Sequence, residues 1–260
     1  MRLDGSRVWI TGASSGIGEA LAAELAARGA RVAISARRAE LLEQQAHRHG
    51  MVPVPLDVSD RAAVLAAAAT VRDELGEIDI AILNAATYGR MDVTAWDPDI
   101  FRRHVDVNLM GMVYGIEAVL PDMRRARAGS IVGMASVAGY RGFPSSQAYG
   151  PTKAAQINLL ESLRIDLLPL GIAVTTVCPG FVRTDLTAGN TFRMPWLLEP
   201  ADAARRIADG LERGKAEIVF PWQMMLAMKA ARLVPVRPWT EIMSHQATTR
   251  HLSQRPPPPL

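Results

Sequence analysis

The chain has 260 residues, which fits one large α/β domain with a modest extension. Hydrophobic residues make up 49% of the sequence, enough to form a sizeable core. The formal net charge is only +3, and no aromatic residues interleave with the cluster of Arg124, Arg125 and Arg127. We therefore interpret this cluster as a solvated helix end and expect no nucleic-acid binding.

The single cysteine, Cys178, excludes an intramolecular disulfide and suits a reducing compartment. It follows the apolar run 172–177, so we expect a buried and unreactive thiol. The first seven residues lack an apolar core of signal-peptide length, and no stretch of about 18 apolar residues is free of charge. These features predict a cytoplasmic protein without a membrane-spanning helix, and no residue is assigned to a metal.

In chain order, short apolar runs bounded by turn residues predict seven strands, at 7–11, 31–35, 51–55, 78–83, 130–135, 172–178 and 217–220. Apolar residues at helical spacing predict six helices between them, at 16–28, 38–49, 60–75, 97–127, 152–168 and 201–213. Gly29 is placed to end the first helix, and Asp60 to begin the third. This alternation of apolar strands with helices predicts an α/β fold whose parallel sheet is covered on both faces.

Beyond the last predicted strand the composition changes. Residues 221–250 form an apolar extension rich in methionine and leucine, and the proline-rich tail 251–260 is predicted to be disordered. The residues that would form one apolar stripe are Trp222, Met225, Leu226 and Leu233. Lys229 and Arg232 are placed to reach water beside it. Three interpretations stay open: the extension packs at a subunit interface, covers a pocket of the main domain, or lies on a membrane surface.

A glycine-rich turn occupies residues 11–18, directly after the first strand and at the start of the first helix. Gly12 permits a tight turn, Gly16 lets the backbone approach a phosphate, and Gly18 allows close packing of the helix on the sheet. Free N–H groups at a helix N-terminus also attract an anion. The turn is therefore predicted to hold the phosphates of a dinucleotide, the alternative being an ordinary strand–helix turn.

The end of the second predicted strand distinguishes NAD from NADP. An NAD site usually has a carboxylate here for the ribose 2′-hydroxyl, but the sequence from Ile34 to Arg38 contains none. Arginine pairs with a 2′-phosphate through charge-assisted hydrogen bonds. NADP(H) is therefore favoured over NAD(H), with Arg37 or Arg38 as the phosphate ligand. The alternative is that these arginines only begin the next helix.

A second motif carries reactive groups. Tyr149 and Lys153 are four residues apart, and so on one face of a helix, and Ser136 precedes them by a short loop. A phenol beside a fixed positive charge can release its proton near neutral pH. Together with the phosphate-binding turn, this phenol, ammonium and hydroxyl predict hydride transfer at a carbonyl or an alcohol.

Taken together, these segments resemble the classical short-chain dehydrogenases/reductases over about residues 5–220. The matching segments are residues 11–18, Asp57-Val58, Asn84-Ala85-Ala86, Asn108, Ser136, Tyr149-x-x-x-Lys153 and Pro179-Gly180. Their order and spacing are far more specific than any one of them. The resemblance implies a Rossmann-type, doubly wound fold with a seven-stranded parallel sheet. By analogy it also implies a homo-oligomer, either a dimer or a tetramer.

The resemblance further implies catalytic roles for four residues. Tyr149 would be the general acid that protonates a carbonyl oxygen, and Lys153 would lower the pKa of that phenol and bind the nicotinamide ribose. Ser136 would hydrogen-bond the substrate oxygen and stabilise its developing charge. Asn108 would hold a water molecule that links Lys153 to solvent.

Other residues would bind the cofactor. Asp57 would contact the adenine amino group beside the Val58 backbone, and Asn84 would steady the central strand. Thr184 would contact the carboxamide end of the nicotinamide, in a loop that begins at Pro179. The remaining cofactor-binding residues are Gly12, Ser14, Ser15, Gly16, Ile17, Gly18, Ala85, Ala86, Gly180 and Val182.

Two residues depart from the family pattern. Ala86 stands where a glycine often follows Asn-Ala, which adds one methyl group near the ribose. Pro151 lies between Tyr149 and Lys153, and proline suits the first turn of a helix. We therefore expect Tyr149 at the helix start or just before it, and Lys153 one turn in.

The residues and the resemblance predict an NADP(H)-dependent oxidoreductase that interconverts a carbonyl and a secondary alcohol on an apolar small molecule. Residues 1–220 would form its catalytic domain. Part of the substrate pocket would be built by apolar residues of segment 184–200, namely Leu186, Phe192, Met194, Trp196, Leu197 and Leu198. These can equally pack against their own domain. Two other functions stay open: an NADP-binding regulator or scaffold without turnover, and an isomerase or dehydratase.

Overall fold

The protein is described by a computed structural model that covers residues 1–190 and 192–253. Its strands are β1 Arg7–Thr11, β2 Arg31–Ser35, β3 Val52–Pro53, β4 Ile80–Leu83, β5 Gly129–Met134, β6 Ile172–Pro179 and β7 Glu217–Phe220. They form one sheet in the order β3-β2-β1-β4-β5-β6-β7, and every neighbouring pair is parallel. The predicted seven-stranded parallel sheet is confirmed.

The α-helices of the described residues are α1 Gly16–Ala27, α2 Ala39–His49, α3 Arg61–Leu75, α4 Pro98–His104, α5 Gly111–Ala126, α6 Tyr149–Leu167, α7 Asp185–Ala188, α8 Pro200–Glu212, α9 Trp222–Ala231 and α10 Val236–Ser253. Helices α1, α2, α3, α6 and α8 lie within a few residues of the predicted bounds. Asp60 caps α3, because its carboxylate accepts a hydrogen bond from the Ala63 N–H at 3.1 Å.

Helices cover both faces of the sheet and bury a separate apolar layer on each. Helices α1 and α8 pack on one face, where Leu25 and Ile207 are fully buried. Helices α3, α5 and α6 pack on the other face, through residues such as Val71, Val119 and Leu160. Two buried faces explain why the strands are apolar throughout rather than alternating.

The strand order reverses direction between β1 and β4. From β1 the chain runs outward to β3 on one side, and from β4 it runs outward to β7 on the other. The loops that leave β1 and β4 therefore diverge and open a crevice at the carboxyl edge of the sheet. Thr11 and Leu83 are register partners at this edge, which brings Gly12 and Asn84 side by side.

The predicted helix at 97–127 is interrupted. A π-helical segment, Val105–Met110, separates α4 from α5 and contains the buried Asn108. The sequence pattern predicts one continuous helix here and does not indicate the change from α-helical to π-helical geometry. Such π segments are frequent at functional sites.

The C-terminal extension forms two helices, α9 and α10. Helix α9 packs its inner face on the domain through Met224 and Met228, while α10 was not predicted. Helix α10 continues to Ser253, past the predicted start of the disordered tail, and residues 254–260 lie outside the described residues. Within the described chain, no helix combines the length and apolar character needed to cross a bilayer.

Polar contacts fasten the extension to the domain. The Tyr140 hydroxyl donates to one carboxylate oxygen of Glu217 at 2.7 Å, and the Lys229 ammonium lies 2.6 Å from the other. The Trp239 indole N–H donates to the Gly142 carbonyl at 3.0 Å, and its ring packs edge-on against Phe143. Helix α9 is therefore anchored to β7, and α10 to the loop that follows β5.

Candidate active site

A single cleft of about 1720 Å³ runs along the carboxyl edge of the sheet. It joins the turn after β1, the ends of β2, β4 and β5, the start of α6, and the inner face of the C-terminal helices. Nearly all the residues predicted to act on cofactor or substrate line it; Asn108 lies just behind its wall.

The glycine-rich turn is packed too closely for side chains. Gly12 has φ +70°, and a Cβ there would lie 2.6 Å from the Ala85 Cα. A Cβ on Gly18 would lie only 2.3 Å from the Gly12 carbonyl oxygen. Ser15 precedes α1 without capping it through its side chain, so the first N–H groups of the helix point into the cleft unsatisfied by a cap. This cradle fits the phosphates of a dinucleotide.

The two arginines after β2 have different surroundings. The Arg38 guanidinium donates to Ser14 Oγ at 3.0 Å and to Ser15 Oγ at 2.7 Å, and so lies across the glycine turn. The charge of Arg37 instead acts on Asp57. Both arginines line the cleft, and no carboxylate ends β2.

Asp57 and Val58 line the same end of the cleft. Burial acts to raise the pKa of the Asp57 carboxyl, but two hydrogen bonds from Ser59 and the charge of Arg37 outweigh it and lower the pKa. Asp57 is therefore a carboxylate acceptor at neutral pH, which is the form that an adenine amino group would need.

Asn84 joins β4 to the glycine turn. Its amide nitrogen donates to the carbonyls of Thr11 at 3.1 Å and Gly12 at 2.9 Å. Ala85 and Ala86 follow it along the cleft wall. The predicted position of Asn84 at the central strands is thus where the structure places it.

Tyr149 begins α6, and Pro151 lies in the first turn, as the sequence predicts. The Ser136 hydroxyl donates to the Pro179 carbonyl at 3.5 Å and accepts from the Ala138 N–H at 3.1 Å. It lies close enough to the Tyr149 phenol to act on the pKa of that group. The start of α6 and the end of β5 therefore bring the phenol and the hydroxyl together at the floor of the cleft.

Lys153, one turn further along α6, is 1% exposed. Its ammonium donates to the Met134 carbonyl at 2.7 Å and lies 5.6 Å from the centre of the Tyr149 ring. The charged group is therefore held beneath the phenol by the last residue of β5.

The pKa values differ from the sequence expectation. Burial raises the pKa of Tyr149 to about 12, although the hydrogen bond with Ser136 acts to lower it. Burial lowers the pKa of Lys153 to about 7. The loss of solvation thus outweighs the attraction between the two groups, because Lys153 faces the ring and the Met134 carbonyl. Tyr149 is a protonated phenol at neutral pH in this structure.

Asn108 is buried behind Tyr149 with its polar groups engaged. Its side-chain oxygen accepts from the Thr87 N–H at 2.7 Å, and its amide donates to the Thr87 carbonyl and to Thr152 Oγ1, both at 3.1 Å. Its own carbonyl accepts from Gln156. These bonds tie the loop after β4 to α6, and the predicted role in holding a water stays a prediction.

The loop after β6 forms the opposite wall of the cleft. Pro179, Gly180, Val182 and Thr184 all line it, and Thr184 also caps α7 through reciprocal bonds with Thr187. Segment 184–200 was predicted to build part of the substrate pocket. Its Leu186 and Phe192 line the cleft, while Leu198 pairs with Val182 and packs on the core. One part of the segment therefore lines the cleft, and another part packs against its own domain.

Several residues of the site were not predicted. Tyr88 and His104 pack edge-on against the Tyr149 ring, with ring centres 5.2 and 6.4 Å away. The His104 ring also accepts from the Gly89 N–H at 3.0 Å. Both residues come from segments distant in sequence, and a lone tyrosine or histidine carries no local pattern. The buried Cys178, as predicted, lies in the core, and burial raises its pKa to about 11.

The buried ammonium predicts a pH-dependent stability. Lys153 would titrate at its ordinary pKa of 10.5 in the unfolded chain but at about 7 in the folded protein. Between these values the unfolded chain binds one more proton, so the free energy of unfolding should rise with pH by up to about 1.4 kcal/mol per unit. Lys153→Met removes this contribution. Urea unfolding should therefore show the wild type gaining stability relative to Lys153→Met across this interval.

The same substitution at the exposed Lys215 controls for the loss of one surface ammonium. A constant difference between the wild type and Lys153→Met at every pH would show that the folded protein does not shift the pKa of Lys153.

Comparison with known proteins identifies the family. The sequence model of the short chain dehydrogenase family matches residues 6–193. An uncharacterised oxidoreductase from Myxococcus xanthus is 38% identical over 231 residues, covering 87% of this chain and 91% of that protein. A short-chain dehydrogenase structure from Streptomyces avermitilis has a TM-score of 0.81 at 28% identity, covering 95% of this chain and 99% of that one.

A second solved structure carries a cofactor. The 3-ketoacyl-(acyl-carrier-protein) reductase from Brucella melitensis, complexed with NADH, has a TM-score of 0.78 at 28% identity. The alignment covers 84% of this chain and 97% of that one. With a family model that spans most of the chain, a relative matched over nearly its full length and the same sheet, this chain belongs to the short-chain dehydrogenase family of oxidoreductases.

Proposed function

We propose that this protein is an NADP(H)-dependent oxidoreductase that interconverts a carbonyl and a secondary alcohol on an apolar small molecule. The observation that carries the proposal is the grouping of Ser136, Tyr149 and Lys153 in one cleft with the glycine turn. A protein that only binds a nucleotide has no need of a buried phenol, hydroxyl and ammonium at the far end of its cleft.

The proton transfer follows from the state of Tyr149. Because its pKa is raised to about 12, the phenol carries its proton at neutral pH and can donate it to a carbonyl oxygen. Ser136 lines the same cleft as Tyr149, and we propose that its hydroxyl hydrogen-bonds the same oxygen. A nicotinamide dinucleotide, when bound, supplies the hydride for this reduction.

Two arginines support the choice of NADP(H). Arg38 is already bonded to Ser14 and Ser15, so it braces the turn. Arg37 makes no such bond to the turn, and we propose that it pairs with the 2′-phosphate. The absence of a carboxylate at the end of β2 removes the usual partner of an NAD ribose.

The substrate half of the cleft is apolar. Its wall away from the glycine turn is formed by Phe143, Phe181, Phe192 and residues of α9 and α10 such as Met228 and Trp239. An apolar carbonyl compound fits this wall because it needs no buried polar partner. The C-terminal helices thus act as a cover of the substrate pocket on their inner side.

The protein is further proposed to work in a reducing compartment, which suits the free Cys178. It is also proposed to form a homo-oligomer, either a dimer or a tetramer, because the family commonly oligomerises. The exposed apolar side chains of Ile165 on α6 and Leu168 just after it offer a surface that a second copy would cover.

Turnover tests the reaction directly. The protein should oxidise NADPH in the presence of at least one member of a panel of ketones, aldehydes, quinones and 3-oxoacyl thioesters, and more slowly with NADH. Tyr149→Phe should reduce turnover by about a hundredfold or more, because the general acid is lost, without weakening NADPH binding.

Tyr114→Phe is the matched control, since Tyr114 lies on α5 outside the cleft. Full activity of Tyr149→Phe would contradict the proposed acid. NADPH binding without turnover of any panel member would favour the regulator or scaffold instead.

Cofactor selection tests Arg37 separately. Arg37→Ala should weaken NADPH binding about tenfold or more, because a charge-assisted bond to the 2′-phosphate is lost, and leave NADH binding almost unchanged. Fluorescence titration measures both affinities. Arg48→Ala, at the exposed end of α2, is the control. An equal loss for both cofactors would assign Arg37 to general cofactor binding.

A further inference from the structure

Helix α9 is apolar on two opposite faces, but the domain covers only one of them. Its inner face packs on the core through Met224, Met228 and Ala231, each at most 7% exposed. On the outer face Trp222 is 60% exposed and Leu226 is 55% exposed. Lys229, which is ion-paired with Glu217, lies beside these two side chains. Large apolar side chains that are exposed together mark a surface that another molecule can cover.

The exposed apolar surface continues into the turn between α9 and α10. Trp222, Leu226 and Leu233 are spaced four and seven residues apart and fall on one side of the helix and its last turn. Leu233 is 86% exposed, and Val236, at the start of α10, is 74% exposed. We name these four residues the outer stripe. It ends in the most exposed apolar side chains of the described residues.

The outer stripe lies in a basic part of the chain. From residue 221 onward the sequence holds five basic residues, Lys229, Arg232, Arg237, Arg250 and Arg255, and one acidic residue, Glu241. This gives the segment a net charge of +4, whereas the whole chain carries +3. Arg237, directly after Val236, is exposed and forms no ion pair with any described residue.

Charge distinguishes between the candidate partners. A second copy of the chain would place the outer stripe against the same stripe, and would bring Arg237 near its own counterpart. An anionic lipid surface offers acyl chains to the apolar side chains and negative headgroups to the flanking arginine. A tryptophan at the edge of the stripe suits the boundary between headgroups and acyl chains.

We infer that the outer stripe of Trp222, Leu226, Leu233 and Val236 docks this protein on the surface of an anionic lipid bilayer. The helices lie on the membrane and do not cross it. Their inner faces line the substrate half of the cleft, so the same two helices separate the bilayer from that half. The inference concerns binding alone and stands independently of the proposed reaction.

Vesicle flotation of the full chain tests the inference. The protein should float with vesicles made of equal amounts of phosphatidylcholine and phosphatidylglycerol, and remain at the bottom with phosphatidylcholine alone. Leu233→Glu should reduce the bound fraction about tenfold, because it puts a carboxylate where the stripe enters the lipid. The side chain is exposed, so thermal unfolding should match that of the wild type.

Val93→Glu is the matched control, because Val93 is 62% exposed on a loop far along the chain from the stripe. It should float like the wild type. Three results would overturn the inference: no flotation of the wild type with anionic vesicles, equal flotation of Leu233→Glu and the wild type, or conversion of an oligomer to monomers by Leu233→Glu in sedimentation.

Discussion

The buried ammonium of Lys153 is the constraint on which the rest of the site depends. It lies between the sheet and α6, with the Met134 carbonyl as its bonded partner and the Tyr149 ring above it. Removing a charge from water is costly, and burial accordingly lowers the pKa of this amino group to about 7. The same packing places Ser136 and Tyr149 in one cleft.

The sheet topology explains where the cleft lies and why its two ends differ. The strand order reverses between β1 and β4, so the loops that leave these two strands diverge and open the cleft. At the base of the cleft the glycine turn packs against Asn84 so closely that a side chain on Gly12 or Gly18 would clash. At the other end the cleft is bounded by α9 and α10, which Glu217 and Gly142 anchor to the domain. The half of the cleft beside the glycine turn is thus lined by closely packed backbone, whereas the other half is lined by aromatic and methionine side chains. Methionine side chains adapt readily to irregular shapes.

The sequence predicts the sheet and the cleft residues well, because apolar runs and glycine spacing are local signals. The fold class and the start of α6 at Tyr149 follow from them. The π segment around Asn108, the contacts of Tyr88 and His104 with Tyr149, and helix α10 do not. Each depends on contacts between distant segments, which leave no periodicity in the chain. The direction of the Tyr149 pKa was missed for the same reason, since the depth of burial decides it.

Direct titration of Tyr149 tests the central claim that burial, rather than the neighbouring ammonium, sets its protonation. The difference in phenolate absorbance between the wild type and Tyr149→Phe reports this group alone among the four tyrosines. The account predicts no phenolate from Tyr149 in the cofactor-free protein up to the ordinary tyrosine pKa of 10. A phenolate signal that appears near neutral pH would contradict it and would show that Lys153 controls the phenol after all.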